Sequence, residues 1–388
     1  MREFLFKIYS FKFLDDLVLI YPLYTVMFSD FHVTPIQISI LLAVWAGTSL
    51  ILEIPSGVLA DKYSRKNLLF VGQIIRTIGY AIWIIFPTFW GFLIGFVFWG
   101  IKSAFTSGTF QAVIYDELKI NNREKEYTKI IGMTKTLSFV AILLASLLST
   151  IAIPYGYSFV LVISCFATLL SALIIFLLPN VKKVESTHER EYFTLLKQGI
   201  KDAFSSKTII YIMIFLSLAY ALGGALDEYW TLFASDTGLA LNRLGIFLAI
   251  MSLSQGLASY IAHKFDKLSN MFFYFLFGLC STFLFLSAYF HTVSSLALLV
   301  LFSFLFTIIH IVFDGKLQHA IPTNTRATVS SVNGFLIEVG AILVFFFVGF
   351  FTQISSLRNV FGGFGILILI IAIVYSILHY RNRNNKEV

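Results

Sequence analysis

Apolar residues dominate long stretches of this chain, and charged or turn-forming residues interrupt them at regular intervals. A helix needs about 20 apolar residues to cross the hydrocarbon core of a bilayer. The pattern predicts twelve such spans, at residues 12–30, 36–59, 67–86, 89–115, 129–153, 157–178, 208–233, 243–262, 270–290, 294–317, 327–350 and 358–379. It therefore predicts an all-α membrane protein with short loops.

Composition supports this interpretation and excludes a water-soluble enzyme. Hydrophobic residues make up 58% of the 388 positions and charged residues only 13%, whereas about 25% of residues are charged in soluble domains. The loops carry no nucleotide-binding glycine loop, no cluster of metal ligands and no nucleophile with its base. We therefore expect no enzyme activity, no metal and no cofactor.

The basic residues indicate how the chain is oriented in the membrane. Arg243 and Arg358 fall in loops on one side, and Arg76, Lys102 and Lys135 fall inside spans. Most of the others lie in loops on the side that also carries both termini, which the positive-inside rule makes cytoplasmic. This distribution fits a lipid bilayer as the partner and gives no reason to expect nucleic acid.

A polar stretch divides the spans into two sets of six. Residues 180–207 form a predicted cytoplasmic linker between an N-terminal bundle, 1–179, and a C-terminal bundle, 208–388. Phe193, Leu196 and Ile200 recur at helical spacing within it, which fits an interfacial amphipathic helix, although a solvated connector fits the sequence equally well.

A short internal echo suggests that the two bundles are related. The sequence ADKYSR at 60–65 is matched by AHKFDK at 262–267, and each copy follows the second span of its half. We therefore predict two pseudo-symmetric six-helix bundles, an arrangement in which transporters place a substrate site near the middle of the membrane.

The most distinctive loop lies between spans two and three and reads GVLADKYSRKNLL, residues 57–69. Gly57 permits close helix packing, Asp61 can cap a helix or pair with a cation, and the Arg65 guanidinium can bind carboxylates. These residues, with Lys66, are candidates for a cytoplasmic latch. The alternative is that the basic residues of the loop only fix the topology.

This loop resembles the signature of the major facilitator superfamily, G-x-L-A-D-x-x-G-R-K-x-x-L, with Ser64 in place of the second glycine. The resemblance implies the major facilitator fold over the whole chain and transport by alternating access. It also implies that the loop holds the two halves together on the cytoplasmic side, with its Asp and Arg joined to an acid at the end of span four. Asp116 occupies such a position.

Two short segments resemble a bacterial efflux branch of this superfamily. They are Glu53-Ile54-Pro55-Ser56-Gly57 and Ile321-Pro322, and Arg326-Ala327-Thr328 follows the second. That branch implies a drug/proton antiporter of the bacterial inner membrane. Two of its usual features are missing, because span four has no Arg and span five has no Gly-Pro pair. These departures favour, as an alternative, the transport of one specific compound.

Ionisable residues inside spans are expensive to place in lipid and are therefore candidates for function. Glu338 lies near the middle of span eleven, where apolar surroundings favour its protonated form and make it a candidate proton carrier. Lys102 lies about as deep in span four and is a candidate counter-ion. A structural ion pair without a coupling role is the alternative.

Spans seven and ten contain further candidates for proton coupling. Asp227 and Glu228 lie in the extracellular half of span seven, and consecutive helical residues point about 100° apart, so one of the two is expected to face the cavity. His310 and Asp314 share one face of span ten and could relay protons. A histidine that is simply hydrogen-bonded is the alternative.

Three other sets of side chains complete the predicted site. Asp15 and Asp16 are interpreted as charges at the mouth of span one or as partners of Lys12. Glu53 and Arg76 are a candidate pair across neighbouring spans. The aromatic residues predicted to line a substrate cavity are Tyr21, Tyr24, Tyr229 and Trp230; such walls suit amphipathic or cationic molecules better than sugars.

The sequence thus predicts a monomeric secondary transporter that exports a small amphipathic organic compound in exchange for protons, with the proton gradient as its energy source. One alternative is uptake or export of a specific metabolite, peptide or siderophore-like compound. A second alternative is a membrane receptor or scaffold that transports nothing.

Overall fold

The computed structural model describes residues 1–107, 109–178, 206–321 and 326–384, and the regular structure within them is helical. The N-terminal helices are α1 (Arg2–Asp16), α2 (Tyr24–Asp30), α3 (Pro35–Lys62), α4 (Arg65–Ile85), α5 (Phe89–Thr106), α6 (Thr109–Ile120), α7 (Tyr127–Ala152) and α8 (Tyr157–Phe176). The C-terminal helices are α9 (Lys207–Asp227), α10 (Trp230–Asp236), α11 (Leu244–Ile261), α12 (Asn270–Phe290), α13 (Leu296–Ala320), α14 (Arg326–Ile354) and α15 (Leu357–Asn384).

Eleven helical segments of the described residues are long and apolar enough to cross a membrane. They coincide with eleven of the twelve predicted spans and confirm the all-α membrane fold. The exception is the first predicted span, 12–30, because α1 ends at Asp16 and α2 begins only at Tyr24. The predicted linker falls almost entirely on residues outside the described ranges, and so does its possible amphipathic helix.

The break between α1 and α2 has a local cause. Pro22 has no backbone N–H and disfavours helical geometry at Tyr21 before it. The chain turns here through short-range hydrogen bonds, from the N–H of Tyr21 to the carbonyl of Val18 and from the N–H of Leu23 to the carbonyl of Ile20. A continuous helix over 12–30 was therefore a wrong prediction.

The predicted seventh span, 208–233, is also divided, between α9 and α10. Helices α2 and α10 each have seven residues and end in an aspartate, Asp30 and Asp236. Each is followed two positions later by a residue with positive φ, His32 at 62° and Gly238 at 90°. The first span of each half is thus interrupted in the same way, which extends the internal echo from sequence to backbone geometry.

The helices pack into two compact units. The first comprises Met1–Glu185 together with Ala240–Ser252, and the second comprises Ser186–Leu239 together with Leu253–Val388. The first part of α11 therefore groups with the N-terminal helices. Its Gly245 lies so close to α7 that an added Cβ would stand 2.1 Å from the carbonyl oxygen of Ser146, so only glycine fits there.

An aromatic cluster forms much of the core of the first unit. Its members are Tyr24 and Phe28 from α2, Tyr80 and Trp83 from α4, and Phe92, Phe96 and Trp99 from α5. The rings meet mostly edge to face, an arrangement that adds about 0.5–1.5 kcal/mol per pair beyond burial. Gly95 allows this packing, since a Cβ there would overlap the indole of Trp83.

The second unit has its own aromatic core between α9, α12, α13 and α15. Phe215 lies at its centre. The centre of its ring is 4.4 Å from that of Phe313, 4.9 Å from that of Tyr375 and 5.1 Å from that of Tyr274. Helix α14 is held to α9 by a hydrogen bond from the Ser217 hydroxyl to the Asn333 amide oxygen, 3.0 Å. These contacts fix the helices that carry the acidic residues described below.

Replacing Trp83 by alanine is expected to destabilise the protein by about 3–5 kcal/mol, because the side chain is 1% exposed and fills the first aromatic core. Thermal unfolding in detergent measures the change. The matched control is Trp90→Ala, at a tryptophan that is 69% exposed, for which a change within about 0.5 kcal/mol is expected. Equal losses for both variants would contradict the packing described here.

Candidate functional site

The signature loop places Arg65 at the start of α4, where its guanidinium forms an ion pair with the Asp116 carboxylate on α6. This is the pairing that the resemblance implied. Lys66 donates to the carbonyl oxygen of Leu178 at 2.6 Å, just past the end of α8, where a cation also complements the helix dipole. The loop therefore binds α6 and the end of α8 through consecutive basic residues.

Two other latch residues have different outcomes. Gly57 is exposed, and an added Cβ would meet no atom within 4 Å. The predicted close helix approach at Gly57 is therefore wrong. The side chain of Asp61 lies outside the described part of the structure, so its role in the latch stays a prediction.

A buried ionic cluster is the main feature of the first unit. Asp15, at the end of α1, is 1% exposed, and its Oδ1 accepts from Lys102 Nζ at 2.6 Å and from Arg76 Nη1 at 3.0 Å. The amide of Gln73 donates to the same oxygen at 2.6 Å. We call Asp15, Gln73, Arg76 and Lys102 the Asp15 cluster.

Arg76 also supports the break in span one. Its Nη1 donates to the backbone carbonyl of Asp15 at 2.8 Å, so it caps the C-terminal end of α1 as well as neutralising the carboxylate. Its Nε donates to the Tyr80 hydroxyl at 2.9 Å, and its guanidinium lies 5.2 Å from the centre of the Trp99 ring. The cluster is thereby anchored in the aromatic core.

These contacts correct two predictions. Lys102 binds Asp15 within the first unit, and its role as a counter-ion of Glu338 stays a prediction. Arg76 also binds Asp15, whereas Glu53 accepts from the hydroxyl of Ser107 at 3.0 Å, so the predicted pair of Glu53 and Arg76 is wrong. Asp15 is buried and so is not a mouth charge, but its Oδ2 lies 3.5 Å from Lys12 Nζ, so the alternative prediction of a pair with Lys12 is confirmed.

Asp16 also pairs with Lys12, at 2.9 Å, and is half-buried rather than fully buried. The sequence held one signal of the Asp15 cluster, a carboxylate inside an apolar stretch followed by a proline.

The acidic residues of the second unit gather around Tyr220 on α9. Asp227, Glu338 and Glu228 all lie within Coulombic range of its hydroxyl. Asp227 and Glu338 are exposed, whereas Glu228 is half-buried, which agrees with the expectation that Asp227 and Glu228 point in different directions. We call Tyr220, Asp227, Glu228 and Glu338 the Tyr220 group.

Span ten completes this region. The His310 ring packs on the Tyr220 ring with 4.5 Å between the centres, and the Asp314 carboxylate lies within Coulombic range of His310. His310 therefore links the two sets of predicted acids, since its ring packs on Tyr220 and Asp314 lies one turn further along the same helix. In the described residues, no three His, Cys, Asp or Glu side chains are arranged to hold a metal ion.

The predicted cavity aromatics are mostly core residues. Tyr24, Tyr229 and Trp230 are buried, and Tyr24 belongs to the aromatic cluster of the first unit. Burial of these rings contradicts an open, cavity-lining position for the three. Tyr21 is different, since it is exposed and meets the Trp99 ring edge to face at 6.1 Å.

Replacing Asp15 by asparagine is expected to destabilise the protein by about 3–5 kcal/mol, because Arg76 and Lys102 would keep buried charges without their counter-ion. Thermal unfolding in detergent measures the loss. Asp16→Asn is the matched control, since Asp16 is half-buried and, among the described residues, forms its ion pair with Lys12, so its loss should cost about 1 kcal/mol or less. A control loss as large as that of Asp15→Asn would show that the cluster does not hold the fold.

Known proteins resemble this chain over most of its length. A curated relative of Bacillus subtilis, the uncharacterized MFS-type transporter YxaM, is 22% identical over 371 residues, 91% of this chain and 90% of the relative. The uncharacterized MFS-type transporter MJ1560 of Methanocaldococcus jannaschii is 24% identical over 261 residues, 64% of each chain.

Solved structures share the fold at lower identity. The nucleoside transporter NupG matches with a TM-score of 0.75 and 16% identity, covering 96% of this chain and 98% of that one. A D-xylose–proton symporter matches with a TM-score of 0.70 and 13% identity, covering 95% and 96%. The family model of the Major Facilitator Superfamily matches residues 10–345. The chain therefore belongs to the Major Facilitator Superfamily of membrane transporters, which are not enzymes.

Proposed function

We propose that this transporter exports a small amphipathic organic compound across the bacterial cytoplasmic membrane in exchange for protons, by alternating access. The family supplies the coarser statement, a multi-pass membrane protein that moves a small molecule. Direction, substrate class and proton coupling are the proposal. The efflux-type sequences around Pro55 and Pro322 support export.

The observation that carries proton coupling is the Tyr220 group. Asp227 and Glu338 are exposed on helices that cross the membrane, where an ionised side chain costs about 2.5–3.5 kcal/mol on insertion scales. Carboxylates that share an apolar region with other carboxylates favour taking up a proton. His310 and the Tyr220 hydroxyl can transfer this proton. We assign proton binding to Glu338 and Asp227.

The Asp15 cluster differs from the Tyr220 group, because its carboxylate is held by cations, and we assign it a structural role. Arg76, Lys102 and Gln73 all donate to one carboxylate oxygen of Asp15, so protonation would remove the charge that holds two buried cations. Asp15 therefore stays ionised through the cycle. Its cluster maintains the interrupted first span, while the latch of Arg65 and Asp116 restrains the cytoplasmic side.

The energy available from protons is sufficient for export. One proton that moves inward down about 100 mV releases roughly 2.3 kcal/mol, which sustains a gradient of about forty-fold for a neutral substrate. No nucleotide is required in this scheme. We place both termini in the cytoplasm, because most loops on their side are basic, and we expect a monomer.

A second candidate function is uptake or export of one specific metabolite, peptide or siderophore-like compound. The missing Arg in span four and the missing Gly-Pro pair in span five favour it. The burial of Tyr24, Tyr229 and Trp230 also favours it, since these rings leave fewer aromatic surfaces for a broad range of drugs. A receptor or scaffold is the third candidate, and it would need none of the ionisable residues.

In liposomes that contain the purified protein, we expect the lumenal pH to change only when a transported compound is present. A protonophore should abolish the coupled flux. Glu338→Gln and Asp227→Asn remove a proton-binding group while preserving size, so each should lower pH-driven flux at least about tenfold. Flux and lumenal pH are measured together. Glu3→Gln is the control, because Glu3 is exposed on α1 and pairs only with Lys7 in the following turn.

Two outcomes would contradict the proton-coupling proposal. Flux that is unchanged by the protonophore would exclude protons as the energy source. Full activity in both Glu338→Gln and Asp227→Asn would show that the Tyr220 group is not the coupling site.

Growth of a deletion strain on a panel of toxic amphipathic compounds distinguishes export from the alternatives. Export predicts that the strain is more sensitive to a subset of the compounds, and that wild-type protein restores growth while Glu338→Gln does not. Uptake predicts the opposite change in sensitivity: the deletion strain should resist a toxic analogue of the substrate. Restoration by Glu338→Gln, Asp227→Asn and Arg65→Ala alike would favour the receptor or scaffold.

A further inference from the structure

The second unit contains an apolar groove between α9, α14 and α15, with a volume of about 530 Å³. This volume lies in the range of small-molecule sites, about 300–1,000 Å³. Its walls include Leu218 and Leu222 from α9, Phe347 and Phe351 from α14, and Leu367 from α15. Helices α14 and α15 are joined by only Ser355 and Ser356, and Ser355 lies at one end of the groove.

The groove is separate from the Tyr220 group. Residues Leu218, Ala221 and Leu222 line it, whereas Tyr220 and Asp227 lie about 100–180° from them around the same helix. On α14 the groove is lined from Gly340, and Glu338 lies on the opposite face. One face of this helix pair therefore carries carboxylates, and the other carries an apolar groove.

The position of the polar side chains in the groove and the length of the groove define which ligand it can hold. Its polar side chains, Ser355 and Asn359, lie together at one end, where the Asn359 amide donates to the Ser355 hydroxyl at 2.9 Å. This end is the junction of two membrane spans and so lies at the membrane boundary. From Phe351 back to Gly340, the lined part of α14 is about 16 Å long at 1.5 Å per residue.

That length matches one leaflet, since half of a hydrocarbon core of about 30 Å is about 15 Å. The ligand is thus an elongated apolar chain whose polar end stays at Ser355 and Asn359. The groove runs along three helices that are long and apolar enough to cross a membrane, and bilayer lipids supply such chains at high concentration. We propose that the groove binds one acyl chain of a bilayer lipid, from the leaflet that contains residues 355–356, with the lipid's polar ester region at Ser355 and Asn359.

Glycine leaves the groove open at a testable position. Gly363 lines it and is exposed, and an added Cβ there would meet no atom within 4 Å. A leucine at this position would therefore enter the space of the acyl chain without displacing protein atoms. Gly340 is unsuitable, because a Cβ there would stand 2.6 Å from that of Ala221 and force the helices apart.

The test uses the full-length protein in liposomes of phosphatidylethanolamine and phosphatidylglycerol that contain a trace of phosphatidylethanolamine with a diazirine in one acyl chain. After illumination, adducts are mapped by mass spectrometry. We expect adducts to concentrate on Phe347, Phe351 and Leu367, several-fold above those on Ile370 and Ile373. Those isoleucines lie on α15, are exposed and do not line the groove.

Gly363→Leu should reduce the groove adducts several-fold and leave those on Ile370 and Ile373 unchanged. The matched control is Gly132→Leu on α7, because Gly132 is also exposed with no atom within 4 Å of an added Cβ. It should keep the wild-type labelling. Leu367→Phe is a second groove-filling variant, used if Gly363→Leu does not fold, and it should reduce adducts on Phe347 and Phe351.

Two results would overturn the proposal. Equal labelling of the groove and of Ile370 and Ile373, unchanged by both filling variants, would mean that no chain is held there. Groove labelling by a diazirine-bearing single-chain alcohol, with none by the labelled lipid, would assign the groove to a different amphiphile.

Discussion

An ionised carboxylate inside a membrane is stable only when cations are held against it, and the first unit is built around one such group. Asp15 is neutralised by Arg76 and Lys102, and the same Arg76 caps the carbonyl at which α1 ends. The capped end of α1, the Arg76 side chain of α4 and the rings of Tyr80 and Trp99 meet at this contact. Removing the charge of Asp15 would therefore disturb helix geometry and electrostatics together.

The interruption itself recurs in the second unit without the ionic cluster. Helices α2 and α10 have the same length, and each is followed, two positions after its end, by a residue with positive φ. In the first unit Pro22 and the capped end of α1 produce the break, whereas α9 ends at Asp227 with no proline nearby. The backbone shape is thus shared by the two units, while the side chains that stabilise it differ.

The sequence predicted the helices well and the ion pairs poorly, for physical reasons. Hydropathy detects a long apolar segment because every residue contributes to it, and eleven spans were located in this way. The loop motif also predicted the pairing of Arg65 with Asp116. Partners inside the membrane depend on helix rotation, which changes by 100° per residue and leaves no local pattern. Arg76 was consequently assigned to Glu53 rather than to Asp15, and the contact between Lys102 and Asp15 was missed.

The two sets of charges in the spans differ in their neighbours, and this difference shapes the proposed transport cycle. In the first unit one carboxylate, Asp15, is held by both Arg76 and Lys102, so protonating it would break a buried ion pair and leave two cations without their partner. In the second unit the carboxylates of Asp227 and Glu338 are exposed, and the proposal assigns proton binding to them. A protein that keeps one set fixed can move protons through the other without loosening the helices that hold it.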